Sequence, residues 1–190
     1  MYNKFFLALI LVATALSCTA QQSPVKLDIK DSEQIAGMQN YSLLLPDNSS
    51  ICSLTATHGK TLAAFDSPIF DAINRSEMPP DVPPVIAAVK AMKTRGDLNK
   101  MVMLGDLYVP VAHRGKGYAR RLLDESCTHL LSKGFKTIAL IPDPFEYEDG
   151  KKKLLADIDK REKLMKLYHS CGFATDKDTA ACMYRDAANS

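Results

Sequence analysis

The chain contains 190 residues and carries a formal net charge of +2 at pH 7. This near balance excludes the strong electrostatic field that would attract nucleic acid or a charged membrane surface, so we expect no nucleic-acid partner. Without a targeting segment of about twenty residues, about 170 residues remain, which is enough for one domain with its own hydrophobic core.

Residues 1–20 have the pattern of an export signal. One cationic side chain precedes a nearly unbroken apolar run over residues 5–16, and small residues follow it. The run is shorter than the about twenty apolar residues that a membrane span needs. Residues 15–18 also resemble a loose bacterial lipobox. Three interpretations stay open: cleavage after Ala20, lipidation of Cys18 with attachment to a membrane, and a buried N-terminal helix.

The next segment predicts the start of the folded domain. Residues 21–40 are polar and are interpreted as a linker or as a first strand, because residues 25–29 alternate between apolar and polar side chains. Residues 41–190 are predicted to form a single folded domain. No internal repeat or low-complexity tract divides it.

Residues 52–100 give weaker signals. Residues 52–57 predict a strand. Residues 61–65 fit its hairpin partner, whereas residues 61–73 fit a helix equally well. The prolines within residues 78–84 predict a break in regular structure, because each proline removes a hydrogen-bond donor and restrains the residue before it. Residues 85–92 fit a short helix or a strand.

The alternation of elements is clearer from residue 101 onward. Apolar residues recur at three- and four-residue spacing in the first helix of this part, with charged residues between them. The predicted order is a strand over residues 101–111, a helix over 119–133 ended by Gly134, a strand over 136–141, a helix over about 152–171, and closing strands after 173. This order predicts a mixed α/β sheet with helices on its faces. The basic residues 151–153 are predicted to lie on a solvated helix face.

A glycine-containing turn joins the first strand to the first helix of this part. Gly115 and Gly117 allow backbone conformations closed to other residues, and the free N–H groups at a helix start can converge on a phosphate. Four cations surround the turn: Arg114, Lys116, Arg120 and Arg121. The pattern indicates a pyrophosphate cradle, while a plain tight turn with a solvated basic helix start stays open. The motifs of nucleoside triphosphatases and dinucleotide-binding folds are absent from this turn.

Two motifs resemble those of the GNAT superfamily, the acetyl-CoA-dependent N-acyltransferases. Residues 114–119 fit its Arg/Gln-x-x-Gly-x-Gly/Ala signature. Residues 164–168, ending in Leu-Tyr, and the Cys-Gly-Phe turn at 171–173 are similar to its second signature. The resemblance covers residues 101–185. It implies the acyl-CoA N-acyltransferase fold, a mixed and mostly antiparallel central sheet with a splayed parallel strand pair flanked by helices.

The resemblance also implies a donor and a site. The donor would be acetyl-CoA, held by Val109, Val111, Arg114, Gly115, Lys116, Gly117, Tyr118, Ala119 and Arg120. Its pantetheine would pair with a strand edge exposed where the strands matching residues 107–111 and 137–141 splay. Tyr168 matches the position of the family's usual general acid. A phenol can serve as an acid there, because with an ordinary pKa of about 10 it stays protonated at neutral pH. The other interpretation of Tyr168 is a packing residue with its hydroxyl at the surface.

The sequence does not identify a general base. Met103 occupies the strand position where the resemblance implies Glu or His in several relatives of the family, and Gly105 is the next residue on that face. Asp106 would point to the other face of the strand unless a β-bulge intervenes. Asp143 and Glu146, on the loop after the splayed strand, and a chain of water molecules are the other candidates.

The cysteines are interpreted from their spacing and position. The chain has five, and after processing at Cys18 the remaining four could pair in three ways in an oxidising compartment. Cys127 and Cys171 fit buried small hydrophobic residues. No clustered Cys/His pattern predicts a metal site.

Three functional hypotheses follow. The first is an acetyltransferase that moves the acetyl group of acetyl-CoA to a primary amine of a small molecule or peptide. The second is a non-catalytic acyl-CoA-binding module or sensor, and the third an exported scaffold with the same fold. The export signal predicts a periplasmic, membrane-attached or secreted protein, and a cytoplasmic one if the signal is not used. Export conflicts with a cytosolic acyl donor.

Overall fold

The computed structural model describes residues 24–66, 82–149, 151–175 and 182–187. The predicted export signal and Cys18 lie outside these residues. The strands are β1 Lys26–Asp31, β2 Met38–Leu44, β3 Ser50–His58, β4 Met101–Tyr108, β5 Thr137–Leu140, β6 Phe145–Glu148, β7 Lys151–Leu154, β8 Ala174–Thr175 and β9 Met183–Asp186. The helices are α1 Gly59–Leu62, α2 Val82–Arg95, α3 Tyr118–Ser132 and α4 Ile158–Ser170.

Seven of these strands form one sheet in the order β1-β2-β3-β4-β5-β9-β8, and β6 and β7 form a separate two-stranded sheet. All neighbours in the large sheet are antiparallel except β4 and β5, which run parallel. The predicted fold class, a mostly antiparallel mixed sheet with one parallel strand pair and flanking helices, is confirmed.

The parallel pair separates part of the way along its length. Pairing runs from Met101 opposite Thr137 to Leu104 opposite Leu140. There β5 ends, whereas β4 continues to Tyr108 along β3. The β5-facing edge of residues 105–108 therefore has no ladder partner among the described strands.

Helices cover both faces of the sheet because the strands alternate. Val102, Leu104 and Ile138 point into a core shared with α3 and α4. Met101 and Ala139, with the opposite parity, point into a second core shared with α1 and α2. The alternation of β4 and β5 thus feeds two separate apolar layers.

Helix α3 follows the pattern that its sequence predicts. Its buried residues, Leu122, Leu123, Ser126, Cys127 and Leu130, lie on one face. Lys133 is the C-cap, and Gly134 follows in a left-handed conformation with φ of +90°. A glycine ends the helix here because other side chains are strained at positive φ.

Two predicted boundaries are wrong. Strand β4, predicted over residues 101–111, ends at Tyr108. Pro110 breaks the ladder and begins a short 3₁₀ turn over Val111–His113. Helix α4 begins at Ile158, where the Asp157 carboxylate caps it by accepting from the Lys160 N–H at 2.9 Å, not at residue 152.

Residues 151–153 form strand β7, not a solvated helix face. Glu146 lies opposite Lys153 and Glu148 opposite Lys151 in the hairpin register. Opposite charges on facing positions stabilise such a pair of strands. The charge pattern that suggested a helix surface is therefore the complementary edge of a hairpin.

Other ambiguous segments also have defined structures. Residues 26–31 form a strand that pairs with β2. The start of residues 61–73 is helical, with α1 followed by a 3₁₀ turn over Ala63–Asp66, and residues 67–81 lie outside the described part. Residues 85–92 belong to α2. The predicted break is wrong for Pro83 and Pro84, because the first turn of a helix tolerates proline, whose missing N–H would have no intrahelical partner there.

Cys52, Cys127 and Cys171 are free and buried, which confirms the interpretation of Cys127 and Cys171 as small buried residues. Burial raises the pKa of Cys52 and of Cys127 to about 12. These two thiols are therefore weak nucleophiles at neutral pH.

Candidate active site

The glycine turn has the backbone conformation that its residues imply. Gly115 and Gly117 adopt φ of +75° and +80°, and Gly117 is the N-cap of α3 without a side-chain capping bond. A Cβ added at either glycine would meet no atom within 4 Å. The glycines are therefore needed for conformation rather than for lack of space, and the region above them is open. The first N–H groups of α3 face this opening with the positive end of the helix dipole.

The cations around the turn have different partners. Arg114 Nε donates to the carbonyl of Val109 at 2.9 Å, and Lys116 Nζ donates to that of Ala112 at 3.0 Å. Both side chains fold over the backbone of their own turn and keep positive charge next to it. Arg120 is exposed. These groups and the open helix start fit a diphosphate.

Arg121 has a structural role instead. Its guanidinium pairs with Glu125 at 2.6 Å and donates to the carbonyl of Val25 at 2.8 Å. It ties α3 to the residue before β1.

The remaining predicted cofactor contacts lie beside the turn. Tyr118 and Ala119 are half-buried in the first turn of α3. Val111 opens the 3₁₀ turn and is 74% exposed. The Val109 carbonyl already accepts from Arg114. The unpaired strand edge lies at residues 105–108. It therefore precedes Val109 and Val111, the two residues predicted to contact the cofactor there.

A cavity of about 560 Å³ opens where β4 and β5 separate. It is apolar, with a small set of polar side chains in its wall, which is typical of ligand sites. Among its lining residues are Asp106, Leu107, Asp143, Phe145, Lys152 and Tyr168.

Asp106 reaches this cavity through a β-bulge. Gly105 pairs with Thr55 and Tyr108 with Ser53, so β4 contains one residue more than β3 over the same stretch. Asp106 itself has φ of +51°, which is strained for a residue with a side chain. The alternative that the sequence left open, a bulge that turns Asp106, is the one the structure has. The signal in the sequence is the glycine before it, since glycine inside a strand often marks a bulge.

Tyr168 is a buried residue of the last full turn of α4 and also lines the cavity. Its ring packs edge-on against Phe173, with centroids 6.2 Å apart. Burial is the main cause that raises its pKa above the ordinary value, with smaller contributions from Cys171 and Asp143. The phenol is therefore protonated throughout the physiological range. The alternative with its hydroxyl at the protein surface does not fit this burial.

The two loop carboxylates differ. Asp143 lines the cavity, and its Oδ1 lies 3.9 Å from Arg161 Nε. Glu146 pairs with Lys160 at 3.2 Å, and both side chains are 46% exposed. Asp143 and Asp106 are thus better placed than Glu146 to act on a molecule in the cavity.

The hairpin β6–β7 brings an aromatic cluster to the end of β4. The ring of Tyr108 lies 5.3 Å from that of Tyr147 and 6.4 Å from that of Phe145. Lys152 Nζ lies 4.9 Å from the centroid of Phe145. The sequence did not predict this cluster, because residues 151–153 were assigned to a helix.

The described ranges hold neither a metal-binding cluster nor a membrane-crossing helix. They contain no group of three or more His, Cys, Asp or Glu side chains placed to hold a metal ion. None of their helices combines the length and apolar character of a membrane-crossing helix.

The chain matches a known family. Residues 84–173 match the model of the acetyltransferase (GNAT) family. No curated protein sequence gives a significant match.

Several solved structures are similar. One is a GNAT-family acetyltransferase from Staphylococcus aureus, at 13% identity and a TM-score of 0.44, over 80% of this chain and 68% of that one. Another is a GCN5-related N-acetyltransferase from Kribbella flavida, at 12% identity and 0.45, over 82% and 71%. A third is an Escherichia coli GNAT-family N-acetyltransferase in complex with CoA, at 14% identity and 0.42, over 78% and 58%.

The matched segment includes both motifs that carried the resemblance, the glycine turn and the Leu-Tyr helix end with its Gly-Phe turn. The resemblance is thereby confirmed. The match to this family supports a general reaction, acyl transfer from an acyl-CoA. The family that this chain resembles over residues 84–173 is therefore the acetyltransferase (GNAT) family.

Proposed function

We propose that the protein transfers the acetyl group of acetyl-CoA to a primary amine of a small molecule or peptide. The observation that carries the proposal is one cavity, at the separation of β4 and β5, whose lining includes both Tyr168 and Asp106. A proton donor and a proton acceptor beside an open strand edge are what amine acylation needs.

The residues of the chain would divide the work as follows. The N–H groups at the start of α3, with Arg114, Lys116 and Arg120, would hold the diphosphate. The unpaired edge of residues 105–108 would hold the pantetheine amides as an added strand. Acetyl-CoA supplies an acyl group activated as a thioester. Holding it beside the acceptor lowers the barrier by several kcal/mol, at an order-of-magnitude estimate.

The proton steps fall to side chains in the cavity wall. Tyr168 holds a proton at its hydroxyl for the sulfur that leaves. Asp106 or Asp143 accepts the proton that the acceptor ammonium loses, and the neutral amine then attacks the thioester carbonyl. The C–N bond forms and the C–S bond breaks. Neither carboxylate is a strong base, so the rate is expected to rise toward alkaline pH, where more of the acceptor is already neutral.

The second hypothesis, an acyl-CoA-binding module without turnover, is favoured by one observation. Met103 stands at the strand position where the resemblance implies Glu or His in several relatives of the family, and Gly105 follows it on the same face. The third hypothesis, a scaffold, needs no CoA binding.

Two measurements separate the hypotheses. Calorimetric titration with acetyl-CoA tests binding, and its absence in a folded preparation would exclude both CoA-dependent hypotheses. Release of free thiol during incubation with a panel of amines tests turnover. Turnover that Tyr168→Phe abolishes would support the proposed acid.

We also propose that residues 1–20 direct export, with cleavage after Ala20 or lipidation at Cys18 as the two processing routes. The pattern of the apolar run and the small residues after it supports this proposal. Mass spectrometry of the N-terminus of the native protein tests it, because an intact Met1 would contradict both routes.

A further inference from the structure

Lys152 lines the cavity at the separation of β4 and β5, which is the candidate site for the acceptor. Lys152 Nζ is 2.6 Å from Asp106 Oδ1 and 4.9 Å from the centroid of the Phe145 ring. Its side chain is 30% exposed, whereas that of its neighbour Lys153 is 62% exposed and pairs with Glu148. The hairpin therefore directs one of two adjacent lysines into the cavity and the other into solvent.

The surroundings of Lys152 Nζ have the chemistry of an ammonium-binding site. A carboxylate offers a charge-assisted hydrogen bond, and an aromatic face offers a cation–π contact. The Tyr147 ring packs on those of Phe145 and Tyr108 and fixes this wall. None of these groups is specific to a lysine of the same chain, so any primary alkylammonium of similar width could take the place.

The position of the carboxylate is imposed by the fold. Asp106 stands in the extra residue of the β4 bulge with φ of +51°. Strain of this kind persists only where the surroundings over-determine it, and it is frequent at functional sites. Thr55 Oγ1 donates to the other carboxylate oxygen at 3.4 Å.

We propose that Asp106 and Phe145 form the subsite for the ammonium group of the acceptor, and that Lys152 occupies this subsite as an internal competitor. The proposal rests on the proposed function, since it assigns the acceptor end of the same cavity. It defines the acceptor class as primary alkylammonium compounds, including lysine side chains of peptides.

The hairpin that carries Lys152 can release it without disturbing the main sheet. Strands β6 and β7 pair only with each other, and an isolated two-stranded sheet is marginally stable. Lys152 is attached to the main sheet through its ion pair with Asp106. An incoming ammonium replaces this ion pair with one of the same kind.

The competition has a measurable size. A group tethered by a short segment acts at an effective concentration in the millimolar range. A free amine must displace Lys152 to bind, so its apparent affinity equals its affinity for the empty subsite multiplied by the fraction of time the subsite is empty. We expect a reduction of about tenfold, the result of a subsite that is empty about one tenth of the time.

The test is a titration of the full chain with butylammonium chloride, in the absence of any CoA compound, followed by NMR chemical shifts. Lys152→Met should bind about tenfold more tightly than the unmodified protein, because the internal competitor is gone. Lys153→Met is the matched control and should bind like the unmodified protein. Adding Asp106→Asn to Lys152→Met should remove the gain. Butanol, the uncharged analogue, should not bind.

Equal affinity of Lys152→Met and the unmodified protein would overturn the proposal, as would binding of butanol as strong as that of butylammonium. A second measurement does not depend on a variant. Saturating butylammonium chloride should speed hydrogen exchange of the hairpin amides in the unmodified protein, while sodium chloride at equal ionic strength should not. Unchanged exchange would contradict displacement of Lys152. Because no CoA is present, a failure of acetyl-CoA binding would refute the proposed function and leave these results interpretable.

Discussion

The glycine turn before α3 and the hairpin β6–β7 both adjoin the end of β4, yet they are built for recognition in opposite ways. The turn offers backbone N–H groups and open space, and two of its cations fold onto its own carbonyls. The hairpin offers side chains, and its charges are paired with neighbouring charges. A backbone site needs only the right local conformation. A side-chain site needs partners distant in sequence.

The largest expected effect tests the backbone site. Gly117→Val places a branched side chain at φ of +80°, which costs about 1–2 kcal/mol in that conformation or forces the turn to change. We expect affinity for CoA to fall by about a hundredfold, roughly 2.8 kcal/mol at 1.4 kcal/mol per factor of ten. Calorimetry measures it.

Gly134→Val is the matched control, since Gly134 has φ of +90° and equally open surroundings at the other end of α3. Chemical denaturation should show similar losses of stability for both variants. Equal CoA affinities would contradict the assignment of the turn as the cradle.

The difference between the two regions explains what the sequence could predict. The turn and α3 are local, so Gly115, Gly117 and the apolar spacing of Leu122 and Leu130 were sufficient. The hairpin depends on Glu146 and Glu148 meeting Lys153 and Lys151 across a register that no single segment reveals.

The face on which Asp106 lies was left open for a related reason. Alternation along β4 assigns it to the wrong face, and only the pairing of residues 105–108 with β3 reveals the extra residue. The sequence signal for the bulge is Gly105, because a glycine inside a strand often marks a bulge. Tyr168, by contrast, was found through a motif, because it ends a helix and precedes a turn close to it in sequence.

The next largest effect is expected from the phenol of Tyr168. Tyr168→Phe preserves the packing against Phe173 but removes the proposed proton donor, so kcat should fall by about a hundredfold while CoA affinity stays unchanged. Tyr41→Phe removes a hydroxyl that is bonded to Gln39, on a residue that is not among those lining the cavity, and should leave kcat unchanged.

The pH profile provides an independent check. The pKa of Tyr168 is raised above 10.0 by burial, and the phenol is active when protonated. Its ionisation should therefore cause no loss of rate at any pH up to about 10. A basic limb well below that pH which disappears in Tyr168→Phe would contradict the raised pKa.

A smaller effect is expected on the side-chain site. Asp106→Asn removes the charge that pairs with the ammonium, and we expect KM for an amine acceptor to rise by about tenfold, with CoA affinity unchanged. Glu148→Gln removes one charge from the hairpin surface, where Glu148 is 65% exposed, and should leave KM unaltered. Steady-state kinetics measure both, and equal KM values would remove Asp106 from the acceptor site.

The smallest effect distinguishes neighbouring arginines on α3. Arg120→Ala removes an exposed cation beside the cradle and should weaken CoA binding a few-fold, less so at high salt. Arg121→Ala should leave CoA affinity unchanged and lower stability by under about 1 kcal/mol, since it loses an exposed ion pair. The reverse order would assign Arg121 to the diphosphate.

The hydrogen bond from the Leu155 N–H to the Pro144 carbonyl, at 2.8 Å, closes the base of the segment that bears the hairpin. Its ends therefore enter and leave the domain side by side, so the segment is a cassette that can be replaced without re-routing the chain. Exchange of this cassette would alter acceptor preference while the donor end of the protein stays the same. Diversification of such a protein then needs only small insertions at one point of the chain.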